Sequence, residues 1–236
     1  MDLSVADSML SRSSLDRLRG ETPAVLPSLL LCDFGNLERE VTRLTEAGAG
    51  AMHLDVMDGQ FVPNLTYGMP IVTAVRQLTD LVVDCHLMIV EPDRYIQQFA
   101  DAGADIITVH SEACADLAGT LRAIQELGCA AGIAINPLTT VGEIADCLNY
   151  CDLVLPMSVS AGFGGQAFDP TALDKLREIR QMAPHVLLEV DGGINSATIR
   201  QCADAGAECF VVGSAIFGSQ NYQSVIGDLA NLATIG

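Results

Sequence analysis

Eight times along this chain a short apolar run is followed by a longer stretch of helical period, and few architectures can absorb that order. The apolar runs fall near 24–29, 51–56, 82–87, 105–109, 130–135, 152–156, 186–190 and 209–212, each of strand length. Helical periodicity occupies 35–47, 69–79, 92–102, 113–127, 139–148, 170–182, 196–205 and 221–232. A helix between every pair of strands is how parallel neighbours are connected. The junctions repeat as well: Glu46-Ala47-Gly48-Ala49, Asp101-Ala102-Gly103-Ala104 and Asp204-Ala205-Gly206-Ala207 each put a glycine where a helix stops and a strand begins.

Two α/β architectures fit, a closed (β/α)₈ barrel and a doubly wound open sheet. Setting aside a 22-residue N-terminal extension leaves 214 of the 236 residues, about 27 per unit, which suits a compact barrel. No Gly-x-Gly-x-x-Gly follows the first strand, which weakens the open-sheet dinucleotide reading. The expectation is a single-domain (β/α)₈ TIM barrel over 23–236, with residues 1–22 loosely ordered.

Composition narrows the partners. The net charge of -18 repels polyanions, so neither nucleic acid nor an anionic membrane surface is expected as a partner. No apolar run approaches the ~18 residues of a membrane span. The eight cysteines are scattered through apolar runs without a Cys-x-x-Cys pair, which reads as buried reduced thiols in a cytoplasmic protein. Residues 1–22 lack an apolar core and do not resemble a signal peptide. The single lysine, Lys175, lies beside Asp174, Arg177 and Glu178 on an expected surface helix, which argues against Schiff-base chemistry.

The strand ends carry the chemistry. In His53-Leu54-Asp55-Val56-Met57 the period of two puts His53, Asp55 and Met57 on one face. A second end reads Asp84-Cys85-His86-Leu87-Met88 and a third Glu189-Val190-Asp191. In a barrel such ends converge on one mouth, so His53, Asp55, His86 and Asp191 can meet. Two imidazoles and two carboxylates suit one divalent cation, with zinc, iron, manganese and cobalt all compatible. His110 also ends a strand, but without a parity-matched acid in that strand it is left outside the ligand set. His185 is expected at the opposite rim.

Glycines follow the last three strands: Gly162-Phe163-Gly164-Gly165, Gly192-Gly193, and Gly213 before Ser214. Glycine lets backbone N–H groups approach an anion closely, and barrels build phosphate sites after strands seven and eight. A short helix over Ser214–Phe217 could add its positive end. Met57, Met88 and Met157 stand just past strand ends, where they could cover a substrate and exclude water.

These stretches resemble the ribulose-phosphate 3-epimerase family. The resemblance rests on Pro27-Ser28, on His53-Leu54-Asp55-Val56-Met57-Asp58-Gly59-Gln60-Phe61-Val62-Pro63-Asn64, and on Cys85-His86-Leu87-Met88. Ala161-Gly162-Phe163-Gly164-Gly165-Gln166, Glu189-Val190-Asp191-Gly192-Gly193 and Gly213-Ser214-Ala215 complete it, so that about 24–230 is covered. It implies a barrel, a divalent metal on His53, Asp55, His86 and Asp191, and exchange of D-ribulose 5-phosphate with D-xylulose 5-phosphate in the pentose phosphate pathway. It also implies that Asp55 and Asp191 form the acid/base pair, that Ser28 and His86 contact substrate, and that the glycine loops hold phosphate. Epimerising a carbon next to a ketone needs a base, an acid on the other face and an electrophile for the enediolate, and with no available lysine the cation takes the last role. Ala161 stands where the family usually has proline, Ala167 where it often has lysine, and Leu31-Cys32 where serine and alanine are common.

The nearest rival is a D-allulose 6-phosphate 3-epimerase using the same site. Related barrel decarboxylases use Asp-x-Lys-x-x-Asp, and Met57 occupies the lysine position. An amidohydrolase would need His-x-His on the first strand. A non-catalytic sugar-phosphate-binding protein is the reading from another class. A small sugar phosphate is the expected partner, and a homo-oligomer the expected assembly.

Overall fold

A computed structural model describes residues 14–234. The strands are β1 (Ala24–Pro27), β2 (Ala51–Met57), β3 (Val82–Met88), β4 (Ile106–His110), β5 (Ala130–Ile135), β6 (Leu153–Pro156), β7 (Leu187–Asp191) and β8 (Cys209–Val212). All pairings are parallel, in the order β1-β8-β7-β6-β5-β4-β3-β2. Gly50 N donates to Val25 O at 3.0 Å and Ser28 bridges to His53, which brings β1 against β2 and closes the ring. The molecule is a (β/α)₈ barrel.

The period of two sorts each strand between two cores. Outward residues such as Val25, Leu54, Val83, Ile107 and Val190 pack under the surrounding helices. Inward residues such as Leu26, Ala51, Val82, Ile106, Leu153, Leu155 and Leu187 fill the lower barrel. Higher in the barrel the inward positions turn polar: His53, Asp84, Thr108 and Glu189 are all buried. An apolar floor therefore supports a polar upper layer, and the site sits on a packed base.

The helices are α1 (14–20), α2 (Leu37–Glu46), α3 (Met69–Leu78), α4 (Ile96–Asp101), α5 (Leu117–Glu126), α6 (Thr171–Met182), α7 (Ile199–Asp204), α8 (Ser214–Phe217) and α9 (Tyr222–Ala233). Two expected helices differ. The stretch 92–102 opens as a 3₁₀ turn, Pro92–Arg94, before α4; the stretch 139–148 is entirely 3₁₀, as Val141–Glu143 and Ala145–Tyr150. Tyr95, with a non-helical φ of -123°, separates the 3₁₀ turn from α4, and Gly142, Asp146, Cys147 and Asn149 are poor helix formers.

The expected loose extension over 1–22 needs a correction within the described residues. Residues 1–13 lie outside them, but 14–20 are helical, and Leu15 and Leu18 of α1 join the inward core through Ala24, Leu26 and Ala51. Ser14 Oγ donates to Asp105 Oδ1 at 2.8 Å and Arg19 Nη2 donates to His185 O at 2.6 Å. The apolar floor would otherwise face water at the bottom of the barrel, and α1 covers it. Leu18→Ala is expected to cost about 2–5 kcal/mol, read as a lowered urea midpoint with turnover unchanged at 25 °C.

Candidate active site

At the C-terminal mouth the inward positions of β2, β3 and β7 bring His53, Asp55, His86 and Asp191 together. One ligating atom from each lies within 4.8 Å of all the others. The parallel register pairs His53 with Asp84 and Asp55 with His86. Ser28, on the adjacent strand end, donates to Asp55 Oδ2 at 2.6 Å. The floor of the site is rigid strand rather than loop.

The protons on the two imidazoles decide what this cluster can hold. His53 Nδ1 lies 2.6 Å from Asp84 Oδ2, so the Nδ1 proton is committed to that carboxylate. Its Nε2 is buried without a hydrogen-bond partner, 3.4 Å from Asp55 Oδ1. His86 Nδ1 lies 3.1 Å from the same Asp55 oxygen. Two ring nitrogens and two carboxylates thus face one another across a small space. Ligand atoms at the usual ~2.0–2.2 Å from a metal are about 3–4.3 Å apart, close to the separations present, so the cluster could bind a metal. A buried carboxylate behind a ligating histidine is also the usual way its tautomer is held.

The electrostatics point the same way. Burial alone would lower the pKa of His53, but the carboxylates of Asp84 and Asp55 overcome it and push the value well above the ordinary one. The field that retains a proton there would also attract a cation in its place. Burial would raise Asp55, yet His53 and His86 hold it well below the usual carboxylate range. Asp191 moves the other way: burial, then the nearby Asp55 charge, raise it to about 7. Deeper still, burial and then Asp84 raise Glu189 to about 8, and neither of its carboxyl oxygens has a hydrogen-bond partner. For His86, burial lowers the value to about 4. Asp55 and Asp191 thus differ in how readily they take up a proton in the cation-free cluster.

Above the cluster a cavity is lined by Ser28, Asp55, Met57, Met88, Met157 and Asp191 on one side and by the glycine loops on the other. Gly162, Phe163, Gly164 and Gly165 follow β6, Gly192 and Gly193 follow β7, and Gly213 and Ser214 follow β8, with α8 where a short helix was expected. Gly193 has φ 63°, and a Cβ there would lie 2.7 Å from Phe168 N, so the loop after β7 has no room for a side chain. No lysine or arginine is among the residues lining the cavity. Asn64 Nδ2 donates to Gly162 O at 2.8 Å, tying the β2–α3 loop to the β6 loop across the opening. Ala161 N donates to Asn136 Oδ1 at 3.3 Å, a bond that a proline at this position could not make.

Three buried residues beneath or beside the cluster, Asp84, Glu189 and His110, and the partly exposed Glu112 escaped the sequence reading of roles. Asp84 and Glu189 sit two residues before His86 and Asp191, so the period that found the ligands also marks them. His110 does have an acid at that spacing, just past the strand: Glu112 Oε2 lies 3.2 Å from its Nδ1. Lys175 is not a freely solvated surface lysine, since its ammonium donates to Asn136 O at 2.7 Å and Pro137 O at 2.9 Å. It braces the loop after β5 at the rim of the mouth and does not itself line the cavity. His185 Nε2 donates to Leu148 O at 3.3 Å, outside the site. The cysteines of the described residues are all unpaired, and no described helix is long and apolar enough to cross a membrane.

Comparison with known proteins gives concordant results. The model of the ribulose-phosphate 3 epimerase family matches residues 24–217. The chain is 47% identical over 210 residues to a ribulose-phosphate 3-epimerase of Bacillus subtilis (strain 168), covering 87% of this chain and 97% of that protein. It is 48% identical over 213 residues to one from Synechocystis sp., covering 88% and 93%. Among solved structures it resembles 3-keto-L-gulonate-6-phosphate decarboxylase from Vibrio cholerae at a TM-score of 0.68 and 21% identity, over 90% of this chain and 97% of that one, a likeness of fold alone.

Proposed function

The chain belongs to the ribulose-phosphate 3-epimerase family, and from that premise we propose that it interconverts D-ribulose 5-phosphate and D-xylulose 5-phosphate by two-base proton transfer at C3. The observation that carries this reading is the meeting of Asp55 and Asp191 with His53 and His86 at one mouth, one ligating atom of each within 4.8 Å of all the others. Asp55 removes the C3 proton from one face and Asp191 returns one from the other; the reverse reaction exchanges the roles. General acid/base catalysis of this kind contributes roughly 10²- to 10⁴-fold.

His53, Asp55, His86 and Asp191 would hold one divalent cation, zinc, iron, manganese or cobalt, which when bound supplies a Lewis acid for the developing enediolate. Ser28 donates to Asp55 and keeps its Oδ2 oriented toward the cavity. Met57, Met88 and Met157 cover the reacting carbons and exclude water, which strengthens the interaction of charges inside. With no basic side chain lining the cavity, the phosphate is held by backbone N–H groups of the loops at Gly162–Gly165, Gly192–Gly193 and Gly213–Ser214.

Gly193→Ala tests the phosphate assignment. The added methyl strains the φ 63° backbone and displaces the loop at Phe168, so kcat/KM should fall roughly 10- to 100-fold, together with a lower melting temperature. Unchanged kinetics would place the phosphate elsewhere. The reading also takes the chain to be a cytoplasmic homo-oligomer, which light scattering of the purified protein and cell fractionation would check. The activity itself is tested by an enzyme-linked assay comparing D-ribulose 5-phosphate with D-allulose 6-phosphate. The five-carbon substrate should be turned over faster; preference for the six-carbon one selects the rival epimerase, and turnover of neither selects a binding protein.

A further inference from the structure

Proton transfer at C3 makes no use of a chain of polar groups running outward from buried His86 to the partly exposed Glu112. His86 Nε2 lies 2.9 Å from His110 Nε2, and His110 Nδ1 lies 3.2 Å from Glu112 Oε2. Glu112 Oε1 accepts from Asn136 N at 2.7 Å and from Thr139 Oγ1. Both imidazoles are fully buried, and Phe61 packs on the His110 ring with centroids 4.8 Å apart. Neither ring is free to turn toward water.

Only one of two facing ring nitrogens can donate to the other, so the chain has two possible orders. In the first, His110 Nδ1–H donates to Glu112, and His110 Nε2 accepts from His86 Nε2–H. In the second, His110 Nε2–H donates to His86, and His110 Nδ1 accepts from Asn136 Nδ2 at 3.3 Å. The second aims a nitrogen lone pair at the Glu112 carboxylate. Partial burial would raise the pKa of Glu112, but the bonds from His110, Thr139 and Asn136 hold it well below the usual range, so it stays ionised. The second order, however, lets His86 Nδ1–H donate to ionised Asp55 at 3.1 Å, so Glu112 and Asp55 compete for the chain. A cation in the cluster would need the His86 Nδ1 lone pair, and the first order would then be the stable one.

We propose that Glu112, acting through His110, is a positioning residue that keeps the Nδ1 lone pair of His86 facing Asp55 and the four-residue cluster. In this order His86 Nδ1 and Asp55 Oδ1, 3.1 Å apart, confront each other as two acceptors. Asp84 does the same for His53, whose Nδ1 proton it takes and whose Nε2 is left without a partner. With the extra proton of His53 displaced by a cation, the two outer carboxylates would point two lone pairs at one place. The inference rests on the reading of that cluster as a metal site.

The test uses the full-length protein. Long-range ¹H–¹⁵N correlation of the zinc-loaded protein should show the His110 proton on Nδ1 and none on Nε2. In Glu112→Gln, which removes the charge at nearly constant shape, the dissociation constant for cobalt(II) should rise about 10- to 100-fold, with little change in melting temperature. A purely structural role would lower the melting temperature and leave the cobalt affinity alone. The proposal is overturned by a proton on His110 Nε2 in the zinc-loaded wild-type protein, or by a folded Glu112→Gln that binds cobalt within twofold of wild type. If Glu112→Gln does not fold, the spectrum of the loaded wild-type protein decides. Wild-type protein that takes up neither zinc nor cobalt overturns the metal reading and this inference with it, whereas a loaded protein with the proton on Nε2 overturns the inference alone.

Discussion

Asp191→Asn is expected to lower turnover of D-ribulose 5-phosphate by about 10³-fold or more, and Asp55→Asn by at least as much, with the barrel folded in both cases. Amide and carboxylate have nearly the same shape, so packing at the mouth is preserved while the proton carrier is lost. The two variants should differ in which proton they still exchange. Each retains one carboxylate, so each should wash solvent deuterium into C3 of one epimer and not the other. Asp55→Asn also disturbs the cluster, because Asp55 lies against both His53 and His86. Its metal content must therefore be measured beside its rate. Undiminished exchange of both epimers in both variants would remove these aspartates from the chemistry.

Stripping the divalent cation should cost a comparable amount. The enediolate needs an electrophile, and the described chain offers no cationic side chain in the cavity: Lys175 is bound to the carbonyls of Asn136 and Pro137, and no arginine is among the lining residues. Prolonged treatment with chelator is expected to lower kcat by about 10³-fold or more and to leave the fold unchanged, with activity restored by one equivalent of zinc, iron, manganese or cobalt. Protein shown by elemental analysis to be metal-free and still turning over at the native rate would refute the role of the cation. Comparing the four reloaded forms would identify which ions the cluster accepts.

Much of this was legible in the sequence for a physical reason. A barrel strand has an inward face of period two, so His53 and Asp55 declared both their side and their end of the barrel before any coordinates were known. His86 and Asp191 followed from the same rule on other strands, and the glycine loops from their position after β6, β7 and β8. The supporting layer was harder to see. Asp84 and Glu189 obey the same period, but one strand deeper an acid reads as an anomaly in a core until its partner, His53, is located across the register. Glu112 lies in a turn rather than a strand, and its link to His86 passes through His110 on β4, a contact no spacing within one segment reveals. Helix α1 was missed for another reason: a short segment rich in serine and charge has little helical signal of its own, and it is the exposed apolar floor of the barrel that holds Leu15 and Leu18 in place.

The most direct test of the account follows one atom. Incubation of the metal-loaded protein with D-ribulose 5-phosphate in D₂O should yield D-xylulose 5-phosphate carrying one solvent deuterium at C3, read by proton NMR and mass spectrometry. Xylulose 5-phosphate that keeps its original hydrogen at C3, or deuterium at C1 with an aldose product instead, would contradict two-base transfer between Asp55 and Asp191.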